Sequence, residues 1–174
     1  MDKRAITDGE KTKHVTSEQI CTITIPEIIN PAVSDEIINE LCKCKGEVTL
    51  LINSYGGKWN SIMAIVNTLK YLLDQGQITR LITVNIFVCG HYALLLFFMG
   101  TIRRAAKKSI FRFSQQYCHN KYEDRLNVRL TKLLYKRVGL NQKIVLSEIK
   151  KNDVYTANKF IRKFGIPIEI VAQL

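Results

Sequence analysis

The segment that most constrains the fold is a short apolar run that ends in two adjacent glycines and leads into an amphipathic helix. Val48–Ile52 has the β-branched, apolar composition of a buried strand, and Gly56 and Gly57 follow it closely. The apolar spacing over Trp59–Leu73 then predicts a largely buried helix. Paired glycines let the backbone turn with positive φ and leave amides free to bind an oxyanion. The segment therefore predicts a strand–turn–helix unit.

Strands and helices alternate along the rest of the chain. Period-2 alternation or β-branched composition predicts strands over Ile20–Ile25, 82–88, 109–113 and 166–171. Helical spacing predicts a helix that Ser34 caps, and helices over 92–99, 121–138 and 156–164. Such alternation predicts an α/β fold with a mostly parallel sheet, formed by residues 19–174. Residues 1–18 are polar and predict a flexible N-terminal arm.

The positive charge is concentrated in one segment. The formal net charge is +11, and residues 101–151 alone hold 14 basic and three acidic residues. The helix over 121–138 carries a basic stripe at helical spacing, formed by Arg125, Arg129, Lys132 and Lys136. A solvated helix face has the same pattern, and no base-reading or stacking motif accompanies the stripe. The stripe therefore predicts a surface for an acidic protein partner rather than for nucleic acid.

The cysteines and the apolar runs argue against secretion and membrane insertion. The five cysteines are an odd number, and no apolar stretch of signal-peptide type occurs in Met1–Glu18. The most apolar run, Val84–Met99, contains polar residues and is shorter than the roughly 20 residues of a membrane-spanning helix. We therefore predict reduced cysteines and a location in the cytoplasm, or in an organelle stroma if the chain is organelle-encoded, with no membrane partner.

Four segments, in order, resemble segments of the Clp-type serine peptidases of the ClpP/crotonase fold. Leu50–Gly57 is similar to the family's I-N-S-P-G-G turn, with Tyr55 in place of the proline. Val88–Leu96 looks like the strand and G-x-A-S-M-G segment that holds the family's nucleophile. Ser109–Gln115 resembles the strand that ends in the family's catalytic histidine, and Val145–Gly165 resembles its closing segment. The resemblance spans about residues 20–172.

The resemblance implies a ClpP/crotonase-like layered fold with a shortened handle helix. In the family, a Gly-rich strand and a long handle helix follow the base strand; the helix stacks two rings, and the strand flanks the substrate cleft. Here only Gln115–Asn120 separate Ser114 from the helix at about 121–138. The resemblance therefore also implies that ring stacking and peptide binding differ from those of the family.

The residues at the family's catalytic positions do not form its Ser–His–Asp triad. By resemblance, Leu94 occupies the nucleophile position, Ser114 the general-base position and Ile149 the orienting-acid position, with Glu148 adjacent to it. Leucine has no lone pair, serine is not a base near neutral pH, and isoleucine cannot orient a base. The positions of the family's oxyanion hole are Gly56, Gly57 and Leu95. We therefore expect a degenerate site without peptidase activity and without a cofactor.

Two other groups of reactive residues have unfavourable spacing. Cys89 and His91 would need a nucleophile–base geometry that the family does not provide. Cys42 and Cys44, taken with Cys118-His119, differ in spacing from structural zinc sites. We therefore expect neither a relocated cysteine nucleophile nor a metal site.

The resemblance implies a catalytically inactive Clp-protease-like subunit with a structural or regulatory role in an ATP-dependent Clp protease ring. The expected partners are active ClpP-type subunits, in a homo- or hetero-oligomeric ring, with an AAA+ unfoldase as a further candidate. Lateral contacts are expected from Val84–Val88, Leu94–Met99 and the final helix. Two alternatives stay open: a divergent serine-type peptidase or crotonase-like acyl hydrolase that uses Gly56-Gly57, and a module that binds RNA or another polyanion through the basic stripe.

Overall fold

A computed structural model describes residues 21–114 and 121–172 of the chain. The strands are β1 (Cys21–Ile25), β2 (Ile28–Ile29), β3 (Gly46–Ser54), β4 (Gly56–Gly57), β5 (Ile78–Gly90), β6 (Ile102–Ala106), β7 (Ile110–Arg112), β8 (Val154–Thr156) and β9 (Glu169–Val171). The helices are α1 (Pro31–Lys43), α2 (Trp59–Asp74), α3 (Ala93–Met99), α4 (Lys121–Val138), α5 (Gln142–Lys151) and α6 (Ala157–Phe164). The predicted arm 1–18 and the connection 115–120 lie outside the described residues.

The central sheet is mostly parallel, as predicted. Its strand order is β1-β3-β5-β6-β9, and all of these neighbours pair in parallel. β7 also pairs in parallel with β5, while β8 pairs antiparallel with β7. Parallel pairing follows from the helices between successive strands, because each helix returns the chain to the end of the sheet at which the previous strand began. The α/β fold with a mostly parallel sheet is therefore confirmed.

The long strand β5 changes partners at a buried asparagine. Asn85 is the last β5 residue paired with β6, and pairing with β7 begins at Val88. The Asn85 side chain bridges this change, because its Nδ2 donates to the carbonyl of Ile110 in β7 at 2.9 Å. On the other edge of β5 a bulge occurs at the same level, since Ile52 is opposite Asn85 whereas Ser54 is opposite Cys89. Asn85 therefore stabilises the point at which β5 changes its partner from β6 to β7.

The start of α1 differs from the prediction that Ser34 caps the helix. The helix begins at Pro31, and the side chain of Asn30 accepts a hydrogen bond from the amide of Val33 at 3.0 Å. Proline at the first helical position has the fixed φ of a helix, so Asn30-Pro31 is the stronger start signal. Ser34 instead lies inside α1 and donates from Oγ to the carbonyl of Ser61 in α2 at 3.1 Å. Its role is to join two helices.

One continuous apolar core joins the helices to the sheet. α1 packs on α2, α2 packs on α3, and α3 packs on both β5 and α4, while α6 packs beside β7 and β8. All seven residues of α3 are buried, and α4 contributes Leu126, Leu130 and Leu134 from its apolar side. Within residues 21–114 and 121–172, no helix is both long enough and apolar enough to cross a membrane.

Candidate functional site

The glycine turn has the positive φ that the sequence predicts, but protein backbone occupies the space beside it. Gly56 has φ of +104°. A Cβ on Gly56 would lie 3.2 Å from the amide nitrogen of Tyr92 and 3.4 Å from that of Ala93, at the start of α3. A Cβ on Gly57 would overlap the backbone of Ile29, with which this residue is paired in the two-stranded β2–β4 sheet. The close approach is therefore between segments of this chain.

The nucleophile position lies inside the hydrophobic core. Leu94 has no exposed surface, and it belongs to the core cluster that extends through the molecule. The amide of Leu95, the second oxyanion-hole position, donates to the carbonyl of Tyr92 at 3.0 Å. The start of α3 is therefore packed with apolar side chains, and this amide already has an acceptor.

The other two triad positions have different surroundings. Ile149 is 2% exposed and belongs to the same apolar core as Leu94. Ser114 is half-buried and directly follows the segment in which Phe113 donates its amide to the carbonyl of Asp153 at 2.9 Å. The structure thus makes both Leu94 and Ile149 members of the apolar core. It leaves Ser114 as the one hydroxyl among the three positions.

His91 is the titratable residue nearest to this region. It has φ of +46°, is 1% exposed, and its ring lies 3.9 Å from that of Tyr92. Neither ring nitrogen makes a hydrogen bond within the described residues. Burial lowers the pKa of His91 to about 4, while the nearby backbone of Ser114 raises it slightly. The imidazole is therefore neutral near pH 7.

Cys89, the other member of the pair considered above, is not activated. It is fully buried at the end of β5, and burial raises the pKa of its thiol well above the usual value. A thiol of raised pKa remains protonated and is a weak nucleophile. Cys89 therefore has the environment of a core residue.

Glu148, the alternative orienting acid, belongs to a polar cluster on the closing segment. Its carboxylate accepts hydrogen bonds from the hydroxyl of Tyr155 and from Lys163 Nζ, the latter at 2.9 Å. Burial alone would raise the pKa of Glu148, but these hydrogen bonds outweigh it and lower the pKa to about 2. The same cluster raises the pKa of Tyr155 to about 12 through burial and the bond to Glu148. Glu148 thus links α5 to β8 and α6.

The basic stripe is exposed along α4. Arg125, Arg129, Lys132 and Lys136 are all solvent-exposed. The first three surround Val128 in a shallow depression, whereas Lys136 lines a different cavity, between α2, α3 and α4. Within the described part of the chain, none of the four takes part in an ion pair. Their charges are therefore available to an anionic neighbour.

The expected lateral-contact segments are corrected by their burial. Leu94–Met99 is buried within the subunit, because α3 is the centre of its core, and so it offers no surface to a partner. In Val84–Val88 the largest exposed side chain is Phe87, which is 60% exposed. Ile28 at 64% and Tyr55 at 40% are also exposed, beside β4 and the end of β3. These three residues, termed here the apolar edge, lie towards the carboxyl ends of neighbouring strands.

The prediction that the cysteines are reduced is wrong for one pair. Cys21 of β1 and Cys44, directly after α1, form a disulfide with a Cα–Cα distance of 5.9 Å. The fold brings the two together because β1 and the end of α1 both flank the start of β3. Cys42 is a free exposed thiol, and Cys118 and His119 lie outside the described residues. A spacing of 23 residues gave no local signal for this pairing.

Two arginines that the sequence analysis did not single out lie at the C-terminal end of α3. Arg137 of α4 donates to the carbonyls of Phe98 and Met99, at 3.0 and 2.7 Å. Arg103 of β6 lies over the ring of Phe98, 5.9 Å from its centroid. The sequence signal was available only for Arg137, as a basic residue in the last turn of a helix.

A search with this chain finds no matching protein-family model and no significantly similar curated protein sequence.

Proposed function

We propose that this chain is a catalytically inactive Clp-peptidase-like subunit that acts structurally in a ring complex with active ClpP-type subunits. The observation that carries the proposal is the burial of Leu94, at the nucleophile position, in a continuous apolar core. Gly56 packed against the start of α3 supports it, because the backbone of Tyr92 and Ala93 lies close beside the turn. The four motif resemblances supply the family, and the parallel sheet is compatible with a ClpP/crotonase-like arrangement.

The apolar edge is the surface that we assign to subunit contacts. Interfaces between subunits bury aromatic and aliphatic side chains at their centre. Phe87, Tyr55 and Ile28 provide such exposed side chains. The basic stripe on α4 provides positive charge for an acidic neighbour. The connection before α4 is too short for the family's Gly-rich strand, so we assign the ring contact in this region to the stripe instead.

The test is co-expression of the full chain with an active Clp-type peptidase, followed by native mass spectrometry of the purified complex. We expect mixed rings with the unaltered chain and with Tyr71→Lys, and loss of mixed rings with Phe87→Lys. Tyr71 is a matched control because it is 62% exposed on α2, against 60% for Phe87. A monomer that never joins a ring, or equal effects of both substitutions, would contradict the proposal.

A divergent hydrolase is the second candidate, and one observation favours keeping it in the test. Ser114 retains a half-buried hydroxyl, and its backbone lies close to the His91 ring. We expect no labelling of the purified chain by a fluorophosphonate probe. Labelling that disappears in both Ser114→Ala and His91→Asn would establish this hydrolase instead. An electrophoretic shift of RNA that Arg129→Glu abolishes would establish the polyanion-binding alternative.

A further inference from the structure

A cavity of about 510 Å³ lies between α2, α3 and α4, on the face of α3 that carries Leu95, Phe98 and Met99. Its walls are mainly apolar, and the principal wall residues are Met63, Val66, Leu73, Leu95, Leu133 and Leu134. A volume of several hundred Å³ with apolar walls is typical of pockets for small organic ligands. The packing of three helices has therefore left a space that an apolar chain can fill.

The rim of this cavity is positively charged. Lys70 of α2 and Lys136 and Arg137 of α4 line it, against one acidic residue, Asp74. None of these cations is in an ion pair within residues 21–114 and 121–172. Converging cations beside an apolar wall favour a ligand that carries a negative head on an apolar body.

Arg103 of β6 lies next to Arg137 and adds a fourth positive charge to those at the rim. Burial lowers the pKa of Arg103, and the adjacent charge of Arg137 lowers it further. The Nε of Arg103 is buried and has no hydrogen-bond acceptor within the described residues. The α3 carbonyls of Phe98 and Met99 accept from Arg137 and so offset part of this charge. Neither guanidinium group is in an ion pair among the described residues, and their combined charge favours an anion beside Arg137.

We propose that this cavity binds a single-headed amphiphilic carboxylate, with its apolar chain between α2 and α4 and its carboxylate at Lys70, Lys136 and Arg137. The cavity volume suits a chain on the order of ten carbon atoms. A single carboxylate matches the small excess of positive charge at the rim. This proposal does not depend on the proposed ring function, because none of the apolar-edge residues lines the cavity.

The first test is isothermal titration of the full-length chain with decanoate below its micelle concentration. We expect saturable binding of one decanoate per chain. Butyrate should bind at least a hundredfold more weakly, because each lost methylene removes apolar burial worth about 0.8 kcal/mol. Decanol, which has the chain without the charge, should bind about tenfold more weakly than decanoate. Absence of saturable decanoate binding, or equal binding of decanol, would overturn the proposal.

Variants then locate the site. Lys136→Glu should weaken decanoate binding about tenfold or more, since it places a like charge at the rim. Lys132→Glu is the matched control, because Lys132 is an exposed lysine one turn earlier on α4 that lies outside this cavity. Val66→Phe should weaken decanoate binding, because the larger side chain takes up part of the space along the apolar wall, with circular dichroism used to verify that this variant folds. Equal effects of the two lysine substitutions would show non-specific attraction. Retention of the affinity in Val66→Phe would place the ligand elsewhere, and either result would overturn the proposal.

Discussion

The two ends of α3 differ in packing and in charge. At its N-terminal end, Gly56 closes against the backbone and Leu94 is sealed in the core. At its C-terminal end, Arg137 and Lys136 border a cavity between three helices. Apolar side chains at the N-terminal end pack as core and leave no reactive group there among the resembled positions Leu94 and Leu95. Space and unpaired charge at the other end provide the conditions for binding a ligand.

The largest expected effect on stability comes from two neighbouring leucines, of which Leu94 faces the core and Leu95 faces the cavity. Leu94→Ala should lower the free energy of unfolding by about 4 kcal/mol, because the rigid core cannot close around the missing atoms. Leu95→Ala should cost only about 2 kcal/mol, since Leu95 lines the existing cavity and is slightly exposed. Urea denaturation of both variants measures the difference. A larger loss of stability for Leu95→Ala would contradict this comparison between the core and the cavity.

His91, just before α3, should make the free energy of unfolding decrease at acidic pH. Its pKa is lowered to about 4 in the folded chain, against 6.5 for a free histidine, so folding excludes a proton that the unfolded chain binds. The stability contribution is therefore complete above pH 6.5 and is lost as the pH falls towards 4. We expect a loss of about 2 to 3 kcal/mol between pH 7 and 4.5.

The control for His91 is His91→Asn, because asparagine tolerates positive φ and does not titrate. Chemical denaturation at a series of pH values should show a shallower decline for this variant. The range above pH 4.5 also separates His91 from Glu148, whose low pKa moves its contribution to lower pH. Identical pH profiles for the two proteins would exclude His91 as the cause.

At the C-terminal end, Arg137 should contribute through its hydrogen bonds to α3. Arg137→Gln should lower the free energy of unfolding by about 1 to 2 kcal/mol, because the bonds to Phe98 and Met99 are lost while the repulsion with Arg103 is relieved. Arg129→Gln is the control on the exposed stripe and should change stability by less than about 0.5 kcal/mol. Equal losses would show that net charge, rather than these two bonds, determines the effect.

The smallest effect on stability should come from substitution of Lys136 and Lys132, which distinguishes ligand binding from folding. Without ligand, Lys136→Glu and Lys132→Glu should each shift Tm by less than about 2 °C, because both side chains are exposed and unpaired within the described chain. With decanoate present, only the Lys132→Glu protein should be stabilised as the unaltered chain is. Thermal unfolding with and without decanoate measures both quantities.

Local patterns were sufficient for elements whose residues carry their own signals. α2 and α4 were predicted with nearly their observed bounds because their apolar residues recur at helical spacing. The last helix was predicted over 156–164 and ends at Phe164 as predicted, followed by Gly165 with φ of +65°. α5 was missed although Asn141 caps it and Asn152 ends it with φ of +56°, signals that the sequence does contain. β6 was missed because two arginines occupy its centre, and pairing with β5 and β9 overrides that polarity.

The amino-acid sequence by itself determined the α/β class, the glycine turn with positive φ, and the fact that none of the resembled triad positions holds the residue that the family has there. These are properties of residue type and local spacing. Only the tertiary structure decided which cysteines pair, that Leu94 and Ile149 share one core, and that Lys70 meets Lys136 and Arg137 around a cavity. Each of these depends on contacts between residues distant in the chain, and such contacts follow from the packing of whole elements.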